Sequence, residues 1–433
     1  MVNTEYLIIG NSAGGVGAAE AIRQVDRTGQ ITIVSDEPYH AYSRPLISEY
    51  LAGKCSVEKM AFRPADFYAT NSIRAVLGDR AVSLDTDKHA AELESGTTIA
   101  WRKLLLATGG VPVVPPTRGL DLPGVFTFTR LDDAMAIDRF LGGHRGRTVK
   151  VVVIGGGLIG VSATEALVER GVEVTVVEMK DRILNVILDE AASALASDSL
   201  GRAGVRMVTG HTVAGVTAGP EGRVSGVTLD DGQQMSCDLV ILAIGVRPRT
   251  ELAAGAGVKV SRGISVDRRM ATSATGVFAC GDVAEAYDFV YGENRLTPIW
   301  PNAYVGGRVA GFNMAGVSTD YAGGTAMNSL KYFGLAVASA GIVNPPDSSY
   351  EVISRGYDHT YRSVVLKNGV TVGMVLAGDT ARSGIVYGLM KDRVRVEAFK
   401  QALVAEDFGL ACLPEELWRA RLEYVDKVVE RPQ

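Results

Sequence analysis

Cysteine is scarce in this chain. There are four in 433 residues, Cys55, Cys237, Cys280 and Cys412, with no C-x-x-C pair and no clustered framework. That excludes a disulfide scaffold and an iron–sulfur centre ligated by the chain itself, and it fits a reducing, cytoplasmic setting. Histidine is almost as rare: His40, His89, His144, His211 and His359 fall in no ligand or acid/base motif. They read as loop or surface residues, and no metal site is expected. No apolar stretch reaches the length of a membrane span. An apolar run begins within a few residues of the first position, so no signal peptide is expected. No basic run occurs, and a net charge of −5 argues against a nucleic-acid partner.

Glycine, by contrast, is abundant. The 50 glycines exceed the usual ~7% share, which suits turns that approach ligands closely. A hydrophobic content of 47% and a charged content of 21% describe a soluble globular protein, and the length allows two or three domains.

The stretch 151–178, VVVIGGGLIGVSATEALVERGVEVTVVE, carries the strongest local signal. Val151 to Ile154 is a short apolar run of the kind found in a strand buried on both faces. Gly155, Gly157 and Gly160 follow as G-x-G-x-x-G and open a helical pattern, with Leu158 and Ile159 between them. Gly171 sits where that helix stops, and a second strand ends at Glu178. The first glycine permits the tight turn, the second lets backbone approach a pyrophosphate, and the third lets helix pack on strand. Free N–H groups at the helix N-terminus face the phosphates. Glu178 is placed to accept from the adenine ribose hydroxyls and to repel a 2′-phosphate, so NADH is expected over NADPH. The bland alternative is a βαβ unit whose glycines serve packing only.

The pattern recurs at the start of the chain. Tyr6 to Ile9 precedes GNSAGG, in which Gly10 and Gly15 hold the first and third positions and Ser12 the second. After the next strand, Ile31 to Val34, Asp36 is the ribose candidate and Glu37 the second choice. Arg44-Pro45 has no helical place and is expected in a loop; Arg44 either neutralises pyrophosphate or flavin charge or is a solvated arginine. Lys103 to Leu106 runs into Ala107-Thr108-Gly109-Gly110, and similar exits occur at Ile244-Gly245 and Gly281-Asp282. Two such folds in one chain imply two dinucleotides. Prolines crowd 112–123 as a linker, and 182–209 reads as helix then strand. Val213 to Leu229 and Gln234 to Ile244 alternate like antiparallel strands, and charge-rich helices are expected over 384–423.

With these motifs in place, GNSAGG (10–15), LLLATGG (104–110), GGGLIG (155–160), AIGVRP (243–248) and GVFACGDVAEA (276–286), the chain resembles the pyridine nucleotide-disulfide oxidoreductase superfamily. It is closest to its branch of ferredoxin reductases, NADH oxidases and nitrite-reductase flavin domains. The resemblance implies an α/β chain of two Rossmann-like three-layer domains, one inserted in the other, and a C-terminal α+β interface domain. An FAD domain over 1–110 and 245–325 would be interrupted by an NAD domain over 111–244, with 326–433 as the interface domain, usually dimeric. The FAD candidates are Gly10, Ser12, Ala13, Gly14, Gly15, Asp36, Glu37, Arg44, Pro45, Ala81, Ala107, Thr108, Gly109, Gly281, Asp282 and Trp300. Asp282 would meet the ribitol, or cap the next helix, and Trp300 would lie beside the flavin ring or anchor the core. The NAD candidates are Gly155, Gly157, Leu158, Ile159, Gly160, Glu178, Ile244 and Gly245.

The departures from that family bear on function. Disulfide-reducing members carry C-x4-C in the first helix after the nucleotide loop, and thiol-dependent NADH oxidases carry one cysteine about where Ser43 stands. Neither is present, and Cys55 is misplaced for that role. Ser162 stands where many relatives place a glutamate, and the C-terminal His-Glu pair is missing. Electrons are therefore expected to pass between nicotinamide and flavin by hydride transfer, with no catalytic side chain and no protein thiol. YSRPLISEYLAGK, GLIGVSATEAL and the segment from Arg382 to Leu410 resemble NAD-coupling flavoprotein subunits of iron–sulfur enzymes such as phenylglyoxylate-type 2-oxoacid dehydrogenases. This implies a ferredoxin-like partner subunit and a homodimer or hetero-oligomer, with residues 399–425 as a docking candidate or a helix closing the interface domain. The alternatives are a stand-alone NADH oxidase or rubredoxin/ferredoxin reductase, and an NADH-sensing flavoprotein with little turnover.

Overall fold

A computed structural model describes residues 2–144 and 146–419. The chain forms two compact units, Met1–Met179 with Gly204–Ala326, and Lys180–Ala203 with Met327–Gln433.

The first unit holds two sheets of nucleotide-binding type, the first parallel except for Ala90–Leu93 and Ala81–Asp85, which extend it antiparallel from Thr98–Leu106, and the second wholly parallel. In one, the strands run Ile73–Leu77, Ile31–Ser35, Val2–Ile9, Thr98–Leu106. Val277–Ala279 pairs in parallel with the far end of Thr98–Leu106, so a segment more than 170 residues later completes this sheet. Tyr6, Leu7, Ile8 and Ile9 are all buried, as a central strand covered on both faces requires. The helix that follows, Ala13–Val25, packs on Trp300–Met314 almost backbone to backbone. A Cβ at Gly307 would lie 2.0 Å from the Gly14 carbonyl oxygen, and one at Gly311 would lie 2.4 Å from that of Ala18. The second sheet runs Arg206–Thr209, Glu173–Glu178, Lys150–Ile154, Leu239–Leu242, Val125–Thr127, all parallel.

The chain leaves the first sheet for the second through Gly110–Pro112 and returns through Val246–Pro248. These two segments pair antiparallel, Arg247 opposite Val111. Around them, the Arg249 N–H donates to the Gly109 carbonyl and the Thr108 hydroxyl donates to the Arg249 carbonyl, each at 2.9 Å.

Three local expectations need correction. Gln234–Ser236 does join an antiparallel sheet with Val213–Ala218 and Val224–Leu229. Leu239–Leu242 does not: all four residues are buried, and the strand enters the parallel sheet. Arg44-Pro45 is not in open loop but starts a 3-10 turn, Arg44–Leu46, with Pro45 inside its first turn where a missing N–H costs nothing. Of the expected helices over 384–423, Ser383–Lys391 is an α-helix, while Lys400–Val404 and Leu410–Cys412 are 3-10 turns.

The second unit is a five-stranded antiparallel sheet, in the order Met327–Tyr332, Leu335–Gly341, Val370–Ala377, Thr360–Lys367, Glu351–Tyr357. Helices Ser383–Lys391 and Glu190–Arg202 pack on it. Residues 180–203 thus group with the C-terminal sheet, where the Tyr361 hydroxyl donates to Asp189 at 2.8 Å and Asn344 donates to the Asn185 carbonyl at 2.8 Å. Arg362 is buried and pairs with Asp379 at 2.7 Å; its guanidinium also donates to the Ala405 carbonyl. Within the docking candidate 399–425, residues 420–425 lie outside the described residues. No helix among the described residues is long and apolar enough to cross a membrane.

Candidate functional site

A cavity of about 920 Å³ opens at the C-terminal ends of the first sheet's strands, the place where open α/β sheets bind ligands. Its wall is built from the loop after Val2–Ile9, the tip of Ile31–Ser35, the turn at 44–45, the exit at 107–109, Gly281-Asp282 and the start of helix Trp300–Met314. Every FAD candidate lines it except Gly15, which lies beneath the loop: a Cβ there would come 1.9 Å from the Gly10 carbonyl oxygen.

The wall fits a dinucleotide. Helix Ala13–Val25 begins against the cavity, and its N-cap Ser12 makes no side-chain cap hydrogen bond. First-turn N–H groups have no partner inside their own helix, so these are left for an anion. Five charged groups surround the tip of Ile31–Ser35. Glu37 is buried and both its oxygens are taken, one by the Tyr42 hydroxyl at 2.6 Å and the other by Arg44. Arg44 also donates to the Thr129 carbonyl at 3.2 Å, so it is no freely solvated arginine. Asp36 differs. Arg130 Nη2 and Arg249 Nη1 both donate to its Oδ2 at 2.9 Å, and its Oδ1 accepts no hydrogen bond among the described residues. Burial pushes the Asp36 carboxyl up, but the charges of Arg130 and Arg249 outweigh it and hold it below the usual carboxylate range. Of the two acids at the strand tip, Asp36 is the one that keeps an acceptor oxygen unoccupied among the described residues.

Elsewhere on the wall, burial pushes the Asp282 carboxyl up and the Arg44 charge opposes it. Trp300 meets Phe62 edge-to-face, with ring centroids 5.1 Å apart. Cys280, passed over in the sequence because it stands alone, also lines the cavity. Burial, with the Asp282 charge, pushes its thiol up to about 12, so it is no thiolate at neutral pH. Cys55 is not among the lining residues.

The second G-x-G-x-x-G lies at the end of Lys150–Ile154 and opens helix Leu158–Glu169. Gly155 has φ +107, and a Cβ on it would lie 2.4 Å from the Ala243 carbonyl oxygen; one on Gly160 would lie 1.9 Å from that of Gly155. Gly157 is different: nothing stands within 4 Å of a Cβ built there. Glu178 ends the neighbouring strand, and its Oε2 accepts from the Gly156 N–H at 2.6 Å. Gly245 has φ +114, and its carbonyl accepts from Val113 at 3.0 Å; Ile244 beside it is exposed. Gly155, Gly157, Leu158, Gly160, Glu178, Ile244 and Gly245 lie outside the cavity wall, whereas Ile159 and Val246 are in it. Ile159 joins the second glycine loop to the first site.

Sequence reasoning missed Arg130, Arg249 and Tyr42. Arg249 follows directly on AIGVRP, which was a signal; Arg130 had none. His211, Asp230 and Asp231 bring ligand atoms within 4.8 Å of one another on the surface, and the His211–Asp230 contact is 3.1 Å.

Comparison with known proteins agrees with this geometry. Residues 4–307 match the family model "Pyridine nucleotide-disulphide oxidoreductase", and residues 327–394 match "Rubredoxin NAD+ reductase C-terminal domain". The chain is 32% identical to the NADH-dependent phenylglyoxylate dehydrogenase subunit epsilon of Aromatoleum evansii, over 96% of this chain and 99% of that one. It is 30% identical to nitrite reductase [NAD(P)H] of Bacillus subtilis, over 90% of this chain but 48% of that protein. Among solved structures, the covalent putidaredoxin reductase–putidaredoxin complex matches with a TM-score of 0.85 and 26% identity, covering 94% of this chain and 97% of that one. The chain belongs to the pyridine nucleotide-disulphide oxidoreductase family and is an FAD-dependent NAD(H) oxidoreductase.

Proposed function

We propose that the protein passes electrons between NAD(H) and an iron–sulfur partner subunit, within a multisubunit 2-oxoacid dehydrogenase of phenylglyoxylate type. FAD would be held by the cavity residues: Asp36 at the adenosine ribose, the start of helix Ala13–Val25 and Arg44 at the pyrophosphate, Asp282 at the ribityl chain, and Pro45 and Trp300 beside the ring. NAD(H) would be held by Gly155–Gly160 and Glu178. When bound, the flavin supplies the switch between two-electron exchange with nicotinamide and exchange with an outside acceptor. The chain's own residues bind and orient. Ile159 and Val246 add apolar wall, which excludes water from the space between the two cofactors.

The observation that carries this reading is Ile159. A residue of the NAD-type loop lines the FAD-type cavity, and Cys280 in the same wall is held as a thiol rather than a thiolate. The partner class is supported by the near full-length likeness to the phenylglyoxylate dehydrogenase subunit and by the putidaredoxin complex. The proposed domains are FAD over 1–110 and 245–325, NAD over 111–244 apart from 180–203, which group with the C-terminal sheet, and interface over 326–433, assembled as a homodimer or hetero-oligomer. A stand-alone rubredoxin or ferredoxin reductase is a second reading, favoured by the C-terminal match at 327–394. Anaerobic reduction by NADH followed by mixing with a low-potential ferredoxin or with oxygen tests the proposal. Fast exchange with ferredoxin and sluggish oxygen use support it. Rapid turnover with oxygen alone overturns it in favour of an NADH oxidase.

A further inference from the structure

We infer that Arg130 and Arg249 are positioning residues for the adenosine half of FAD, acting through Asp36. The inference rests on the reading above that the cavity holds FAD. Both guanidiniums converge on one oxygen of Asp36, at 2.9 Å each, and leave the other without a donor among the described residues. A carboxylate offers about four lone-pair sites, and a ribose presents two neighbouring hydroxyls that donate best to an oxygen not already shared. By filling Oδ2 from one side, the two arginines fix the carboxylate rotamer with Oδ1 left for a sugar.

Neither arginine belongs to the strand that carries Asp36. Arg130 is the N-cap residue of helix Leu131–Gly142, just after an edge strand of the second sheet, and Arg249 follows the returning strand Val246–Pro248. Arg249 is itself pinned by backbone and hydroxyl bonds to Gly109 and Thr108. The acid at the ribose position is therefore held by the inserted segment and by the point where the chain comes back from it. Both side chains are about three-quarters covered, 25% and 24% exposed, so these ion pairs are less screened than surface pairs.

The test uses full-length apoprotein titrated with FAD, with ADP and with FMN, for wild type, Arg130→Gln, Arg249→Gln, Asp36→Asn and the double variants with Asp36→Asn. ADP shares the adenosine half of FAD, and FMN lacks it. Each arginine variant is expected to weaken FAD by tenfold or more, to weaken by as much the part of ADP binding that FAD displaces, since ADP also fits the loop Gly155–Gly160, and to leave FMN within twofold. In the Asp36→Asn background the further loss is expected to shrink to less than threefold, because the arginines act through that carboxylate. Arg249→Lys is expected to recover part of the FAD affinity. Equal weakening of FMN and FAD, unchanged affinities for all three, or an undiminished arginine effect in the Asp36→Asn background would each overturn the inference. Wild-type apoprotein that binds none of the three would instead overturn the placement of FAD in this cavity.

Discussion

Gly157→Ala separates what the fold needs from what the ligand needs. Of the three glycines in the second loop, Gly155 and Gly160 are required by the chain itself: a Cβ on either would lie 2.4 Å or 1.9 Å from a backbone oxygen. Gly157 has φ −80, an ordinary conformation for any residue, and open space where its Cβ would stand. The substitution is therefore expected to leave the fold intact. Reduced freedom of the unfolded chain is worth about 0.4–1 kcal/mol in favour of the folded state, so the melting temperature stays level or rises. NADH is another matter. A methyl group at the helix start keeps the pyrophosphate from the backbone N–H groups, and losing one hydrogen bond to a charged group costs about 1.5–3 kcal/mol. That corresponds to roughly a 10- to 150-fold weaker Kd for NADH, with FAD content unchanged. Calorimetry or quenching titration of the FAD-loaded protein reads the first quantity, and flavin absorbance per chain reads the second. An NADH affinity within twofold of wild type, in a protein of normal melting temperature, would refute the assignment of this loop to the pyrophosphate. Gly160→Ala is the control, expected to damage folding and binding together.

Glu178→Ala removes the acceptor at the end of the second strand; NADH binding is expected to weaken about 5- to 30-fold, the loss of ~1–2 kcal/mol of hydrogen bonding, and discrimination against NADPH to narrow. Titration with both nucleotides checks this, and unchanged affinities for both would remove Glu178 from the site. Treatment with N-ethylmaleimide at neutral pH is expected to leave flavin reduction by NADH intact, because the Cys280 thiol is buried and pushed up to about 12; mass spectrometry locates the label, and inactivation following modification of Cys280 would contradict it. Asp26 is held down to about 2 from an ordinary 3.8, first by the Gly29 and Thr28 N–H groups and further by the Tyr6 hydroxyl. Its contribution to stability is thus present above the ordinary value and is lost as pH falls through that window. Asp26→Asn is expected to flatten the acid limb of melting temperature against pH between about 4 and about 2, and an unaltered limb would show that other carboxylates dominate.

The local parts of this molecule were legible in the sequence and the convergent parts were not. Both glycine loops could be read because strand, turn, helix and acidic terminus lie within one short βαβ unit. The ambiguity between Asp36 and Glu37 could not be resolved that way, since it depends on which oxygens are already engaged. Arg130 and Arg249 come from 94 and 213 residues away to meet Asp36, and no periodicity marks such a meeting. Leu239–Leu242 was misread for a different reason: a four-residue apolar run beside an alternating one shares its edge, and only burial on both faces separates them. Residues 180–203 were placed by chain order with the second sheet, yet their apolar face is covered by the C-terminal sheet.

The central claim, hydride transfer between nicotinamide and flavin with no protein thiol in the electron path, is tested most directly by anaerobic titration of the holoprotein with NADH. A single equivalent per flavin is expected to bleach the flavin band completely, and no further electrons should be taken up. Uptake of a second equivalent, with a thiolate-to-flavin charge-transfer band after the first, would contradict the account and place a redox-active sulfur in the path.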